Sequence, residues 1–103
     1  MPLTVELRAG VERDSRLVRS LPMAVELPFD VIEERRQEFP LLRGIDRYTV
    51  TYFSYFQMRD LWMELAELAQ SFEGDMRDTL EALIDMAQMG SEEPHTYLVF
   101  LGD

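Results

Sequence analysis

The sequence predicts an α+β fold, in which a small, mainly antiparallel sheet of three to four strands packs against a helical hairpin and one short helix. Short alternating or apolar segments, rich in β-branched and aromatic residues, lie in both halves of the chain. Between residues 54 and 90, apolar residues recur every three or four positions, as on helices that bury one face. A length of 103 residues suits one domain, so a single unit is expected over residues 1–103.

Two strands are predicted before residue 28. Residues 4–8 alternate apolar Val5 and Leu7 with polar neighbours and stop at a glycine, which is typical of a half-buried strand. Residues 11–20 fit no period and are interpreted as loop or strand. Met23, Val25 and Leu27 alternate before a proline, which predicts a second short strand, antiparallel to the first.

The middle of the chain predicts a short helix and a strongly β-prone strand. Asp30, followed by Glu33, has the spacing of a helix cap, and Pro40 disfavours helical backbone at the residue before it. Residues 48–53 (Tyr-Thr-Val-Thr-Tyr-Phe) carry no charge and are aromatic or β-branched. Because such a strand promotes aggregation at an exposed edge, it is expected inside the sheet.

A helical hairpin and a final strand complete the expected fold. Ser54 and Gln57 have the spacing of a capping box at the start of the first helix. The second helix is expected to end at Gly90, and the apolar segment 95–101 is expected to be a centrally buried strand. The residues predicted to face inward from the two helices are Met58, Leu61, Trp62, Leu65, Leu68, Ala69, Phe72, Met76, Leu80, Leu83, Ile84 and Ala87.

Composition argues against most catalytic chemistry. The chain has no cysteine, which excludes disulfides, thiolate metal sites and a cysteine nucleophile. Its one histidine, His95, excludes a two-histidine metal motif and leaves serine catalysis with a single candidate base. The five glycines form no phosphate-binding loop. We therefore expect a protein that is not an enzyme and has no cofactor and no metal site.

Charge and hydrophobicity also limit where the protein is expected to be located and what it is expected to bind. No apolar run approaches the roughly 20 residues of a membrane span, and no signal peptide is visible, so we expect a cytoplasmic protein without membrane contact. The net charge of -10 disfavours binding to nucleic-acid phosphate.

The negative charge is concentrated in the predicted hairpin. Residues 1–59 hold nine acids and nine arginines, whereas residues 60–93 hold ten acids and only Arg77. Such a surface is either a solvated face that keeps the protein soluble or a surface that meets a basic protein. The leading hypothesis is a non-catalytic interaction module that masks a basic partner, as an immunity protein or antitoxin does. Its expected partner-binding residues are Asp60, Glu64, Glu67, Asp78, Glu81 and Asp85.

Two alternatives remain open. Tyr52 and Trp62 are candidates for an aromatic pocket that binds a small ligand, as in a sensor or accessory subunit. Alternatively, the protein is a homodimer or larger homo-oligomer whose sheet edge or helix face pairs with a second copy.

Three segments resemble small, acidic bacterial proteins of unassigned function. They are residues 39–46 (Phe-Pro-Leu-Leu-Arg-Gly-Ile-Asp), the predicted helix over residues 57–68, and residues 93–103 (Glu-Pro-His-Thr-Tyr-Leu-Val-Phe-Leu-Gly-Asp). The resemblance covers about the last two thirds of the chain. It implies a bacterial source but no activity and no site residue.

Overall fold

The computed structural model describes residues 2–12 and 14–102, and it confirms the predicted α+β fold class. A four-stranded antiparallel sheet has the strand order β2-β1-β4-β3. The strands are β1 (Thr4–Arg8), β2 (Leu17–Ser20), β3 (Val50–Ser54) and β4 (Tyr97–Leu101). The helices are α1 (Phe29–Glu34), α2 (Met58–Ala69) and α3 (Gly74–Ser91), with 3₁₀ turns at Leu42–Gly44 and Tyr55–Gln57.

The core lies between one face of the sheet and the α2–α3 hairpin. Because side chains alternate across a strand, Val5 and Leu7 of β1 share a face with Leu98 and Phe100 of β4, and all four are fully buried. The ring of Phe53 meets Phe100 edge to face, with 5.7 Å between centroids. All the residues predicted to face inward from the two helices are buried or packed against this core.

The strand at residues 48–53 exists, but the prediction that it lies inside the sheet is wrong. Observed as β3, it forms one edge, and β4 takes the central position beside it. The central position goes to the strand whose side chains are buried on both faces of the sheet. Three consecutive residues of β4 are buried, whereas β3 buries only Phe53 and leaves Val50 and Tyr52 exposed.

The second strand forms at residues 17–20, and the predicted strand at residues 23–27 does not form. From that region, Val25 alone makes a bridge, exchanging two backbone hydrogen bonds of 2.8 Å with Leu3. Pro22 and Pro28 flank this region and have no N–H to donate to a ladder. The sequence of β2 shows no hydrophobic alternation because none of its four residues is buried.

The ends of the helices follow the sequence only in part. The predicted capping box at Ser54 and Gln57 is present, with Ser54 N–H donating to Gln57 Oε1 at 2.8 Å. Asp30, however, lies within the first turn of α1 and makes no side-chain cap bond. The second helix ends at Ser91, one residue past the predicted end, but Gly90 does not have the positive φ expected of a glycine that terminates a helix.

Gly90 serves packing instead of helix termination. It is buried, and a β-carbon built there would lie 3.1 Å from side-chain atoms of both Leu7 and Met58. A glycine at this position therefore lets α3 approach β1 and α2 closely.

Among the described residues, none of the helices combines the length and the hydrophobicity that a bilayer crossing requires.

Candidate partner-binding surface

The acidic residues of α3 face solvent on the side opposite its buried leucines. Asp78 and Asp85 are exposed, and neither forms an ion pair with any described residue. Glu81 accepts a hydrogen bond from Arg77 at 3.1 Å, one helical turn away. Because that pair is solvent-exposed, it stabilises the helix only slightly. The outward face of α3 therefore keeps a stripe of unpaired carboxylates.

The acidic residues of α2 lie on a different side of the hairpin, against the segment that precedes β3. Glu64 accepts backbone hydrogen bonds from Leu41 and Leu42 at 3.1 Å. Glu67 lies 3.5 Å from Arg35, which bonds Glu38 more closely at 2.8 Å.

Asp60 remains exposed beside Glu64 and forms no ion pair among the described residues. The six carboxylates predicted to bind a partner thus form two separate groups, and the structure does not bring them together as one surface.

Glu64 is held in place by the fold. Its carboxylate bonds the backbone N–H groups at the start of the 3₁₀ turn Leu42–Gly44, which have no partner within the turn. Burial raises its pKa from the ordinary value of 4.5, against the lowering effect of the Leu42 and Leu41 N–H groups. The negative charge of Asp60 raises the pKa further, and Arg43 lowers it.

Glu64→Ala is expected to lower the free energy of unfolding by about 1–3 kcal/mol, because it removes the acceptor for two partly buried N–H groups. Glu64→Gln should lose less, since its amide oxygen can still accept. The measurement is urea denaturation of both variants and the wild type, with Glu73→Ala, at an exposed acid without a described hydrogen bond, as the control.

The same variants give a pH dependence of known sign. The pKa of Glu64 is higher in the folded state than in the unfolded chain, so protonation favours folding. The stabilisation of the folded state that comes from protonated Glu64 is present below about pH 4.5 and is lost as pH rises through the raised pKa. The stability of the wild type relative to Glu64→Gln should therefore fall as pH rises through this window. A difference that stays constant or increases would contradict this assignment.

An apolar groove of about 400 Å³ runs beside the acidic stripe of α3. Its floor and walls come from residues 21–25 on one side and from Thr79 and Ala82 of α3 on the other. Asp75 lines the groove, and Met23 is 77% exposed at it. A strand at residues 23–27, as the sequence predicts, would have covered this groove. The signal that could have revealed it is Pro22, which interrupts sheet pairing and leaves Met23 uncovered.

Tyr52 and Trp62 do not share a pocket. Tyr52 lies on the outer face of the sheet, in an open depression lined also by Val50, Val99 and Leu101. Trp62 packs against the core on the helix side and borders a depression with Tyr55, Phe56, Arg59 and Ser91. Because the sheet separates the two rings, the structure offers no single aromatic site between helix and sheet.

The described residues also show no cluster suited to a metal ion. Across residues 2–12 and 14–102, nowhere do three or more histidine, aspartate or glutamate side chains converge as a ligand set. No protein-family model, curated protein or solved structure matches this chain.

Proposed function

We propose that this protein is a non-catalytic interaction module whose binding surface is the outward face of α3 together with the groove beside it. The partner is a basic protein that presents arginine or lysine next to an apolar side chain. The observation that carries the proposal is that unpaired Asp75 lines a groove with an exposed methionine, on the same helix that presents unpaired Asp78 and Asp85 to solvent.

Two physical effects support this surface. Unpaired carboxylates in one stripe attract a cationic partner over a Debye length, about 8 Å at physiological ionic strength, and so accelerate encounter. An exposed apolar groove then contributes affinity by removing its surface from water. The combination of apolar contact and charged border is typical of protein interfaces.

The acids of α2 contribute less to this surface. Glu64 already bonds the backbone, and Glu67 lies near Arg35 on the side of α2 that faces the chain before β3. The proposal therefore assigns direct contact to the α3 residues Asp78 and Asp85, with Glu81 shared between Arg77 and the partner. Asp60, Glu64 and Glu67 add to the long-range field only.

The test is the association rate of the purified protein with purified basic proteins encoded by the neighbouring genes, followed by stopped flow at several salt concentrations. Asp78→Arg combined with Asp85→Arg should lower the association rate by roughly tenfold at low salt, because it reverses the local field. The salt dependence should become flatter in the same variant.

The matched control is Glu12→Arg with Glu34→Arg, which changes net charge equally at exposed acids away from α3. This control should keep most of the wild-type rate. An equal loss in both double variants would attribute the effect to net charge and reject the α3 surface. A wild-type rate that does not respond to salt would reject electrostatic recognition altogether.

A further inference from the structure

Half of the large hydrophobic side chains that the described structure exposes lie within nine residues of the chain. Tyr48 is 62% exposed, Val50 46%, Tyr52 44% and Phe56 88%. Val50 and Tyr52 belong to β3, and Tyr48 and Phe56 flank it. This exposed apolar segment coincides with an open edge of the sheet.

The backbone of β3 has unused hydrogen-bonding groups at this edge. Gly102 N–H donates to Thr49 O at 2.8 Å, which identifies Thr49 and Gly102 as a hydrogen-bonded pair of the antiparallel ladder. Such pairs alternate along the ladder, so Thr51 and Phe53 direct their N–H and C=O groups toward β4. The N–H and C=O groups of Val50 and Tyr52 therefore point away from the sheet.

The two edges of the sheet are protected differently. At the β2 edge, the pairing is irregular at Leu7 and Arg8, and β2 itself carries Arg19. Bulges and charges of this kind discourage pairing with another strand. β3 has no charge, no proline and no register shift against β4. It therefore presents a regular template for an added strand.

We propose that β3 pairs antiparallel with β3 of a second copy of this chain, around a two-fold axis at Thr51, to form one continuous eight-stranded sheet. In this register Val50 lies opposite Tyr52 of the other copy, and the reverse pair follows by symmetry. Four backbone hydrogen bonds then use all the outward groups of Val50 and Tyr52. Each cross-strand pair joins a β-branched residue to an aromatic one, a combination that stabilises sheets.

A second copy suits this edge, because the antiparallel arrangement brings opposite charges together at both ends of β3. Asp46 and Arg47 precede the strand and Arg59 follows it, so each end of the interface receives one acid and one arginine from one copy and one arginine from the other. Residues 47–59 contain no acid, so the negative charge of α3 does not lie along this edge. Tyr48 and the partner copy's Phe56 are likewise brought to the same end.

Sedimentation equilibrium of the full chain over a wide concentration range tests the association. The wild type should form a dimer. Val50→Pro removes an N–H that points away from β4, and Phe56→Glu places a charge on an exposed ring position near the other copy's Asp46. Each should raise the dimer Kd by about tenfold or more. Met63→Glu, a comparable change at a 51% exposed position of α2, should leave the Kd unchanged within about twofold.

Circular dichroism identifies a variant that fails to fold. If Val50→Pro fails to fold, Phe56→Glu still tests the proposal. A wild type that stays monomeric at every concentration overturns the proposal. So does a dimer that Phe56→Glu leaves intact. Asp78→Arg with Asp85→Arg should not weaken the dimer, which separates this inference from the proposed function.

Disulfide cross-linking tests the register separately. Because the chain contains no cysteine, a single introduced cysteine can react only with its counterpart in the other copy. Thr51→Cys places two thiols directly opposite each other across the two-fold axis, at a non-hydrogen-bonded pair where the Cα atoms lie about 4.5 Å apart. That distance is within the range of a disulfide. Mild oxidation should therefore link the two copies efficiently, and Met63→Cys, at an exposed position of α2, should not do so. Failure of Thr51→Cys to cross-link in a dimeric sample rejects the register.

Discussion

Phe100→Ala is expected to lower the free energy of unfolding by about 3–5 kcal/mol, the range typical of a large buried aromatic side chain reduced to a methyl group. Phe100 is fully buried at the centre of the sheet and contacts Phe53 edge to face. Its removal loses the transfer free energy of the ring and leaves a cavity that the two central strands cannot close. For a domain of this size, such a loss is a large part of the total stability.

Chemical denaturation in dilute solution measures this effect, with Phe56→Ala as the matched control. The control removes the same ring from a position that is 88% exposed, so its change should stay within about 0.5 kcal/mol. Similar losses in the two variants would contradict the assignment of Phe100 to the core.

Gly102→Ala is expected to lower the free energy of unfolding by about 2–3 kcal/mol, because the added methyl group has no room. A β-carbon built on Gly102 would lie 2.5 Å from the carbonyl carbon and oxygen of Arg47 and 2.7 Å from Thr49 O. These are backbone atoms, so no side-chain rotation relieves the overlap. The chain before β3 must instead move away from β4, which breaks the hydrogen bond from Gly102 N–H to Thr49 O.

Gly44→Ala is the control for this substitution. A β-carbon at Gly44 meets no atom within 4 Å, so alanine should be tolerated there and change stability by less than about 1 kcal/mol. Thermal unfolding of Gly102→Ala, Gly44→Ala and the wild type measures the two changes in stability. Equal stability of Gly102→Ala and the wild type would show that the start of β3 is not held by this close approach.

Local sequence patterns correctly predicted the strands and helices that are determined by residues close together in the chain. The alternation of Val5 and Leu7 located β1 at residues 4–8, and the helical spacing of apolar residues located α2 and α3. The capping box at Ser54 and Gln57 was also predicted from spacing alone. In each case a short-range physical requirement, burial of one face or satisfaction of an end N–H, acts within a few residues.

Contacts between residues far apart in the sequence determined the features that local patterns do not predict. The position of β3 depends on whether another strand has a stronger need for burial on both faces, and β4 does. The role of Gly90 depends on which side chains face it from β1 and α2, which no local motif encodes. Likewise, the charge of α2 and α3 is evident from the sequence, but the contacts of Glu64 and Glu67 with the segment before β3 arise only on folding.

The central position of β4 also determines when this sheet can be completed. β1 pairs with β2 and with β4, and β3 pairs with β4, so within the described part of the chain β4 joins the two halves of the sheet. It follows the other three strands and the three helices in chain order. Until it emerges from the ribosome, the β1–β2 and α2–α3 hairpins can form by local contacts, but β3 has no neighbour. Folding of this domain should therefore end with a non-local step, in which β4 pairs with the β1–β2 hairpin and with β3.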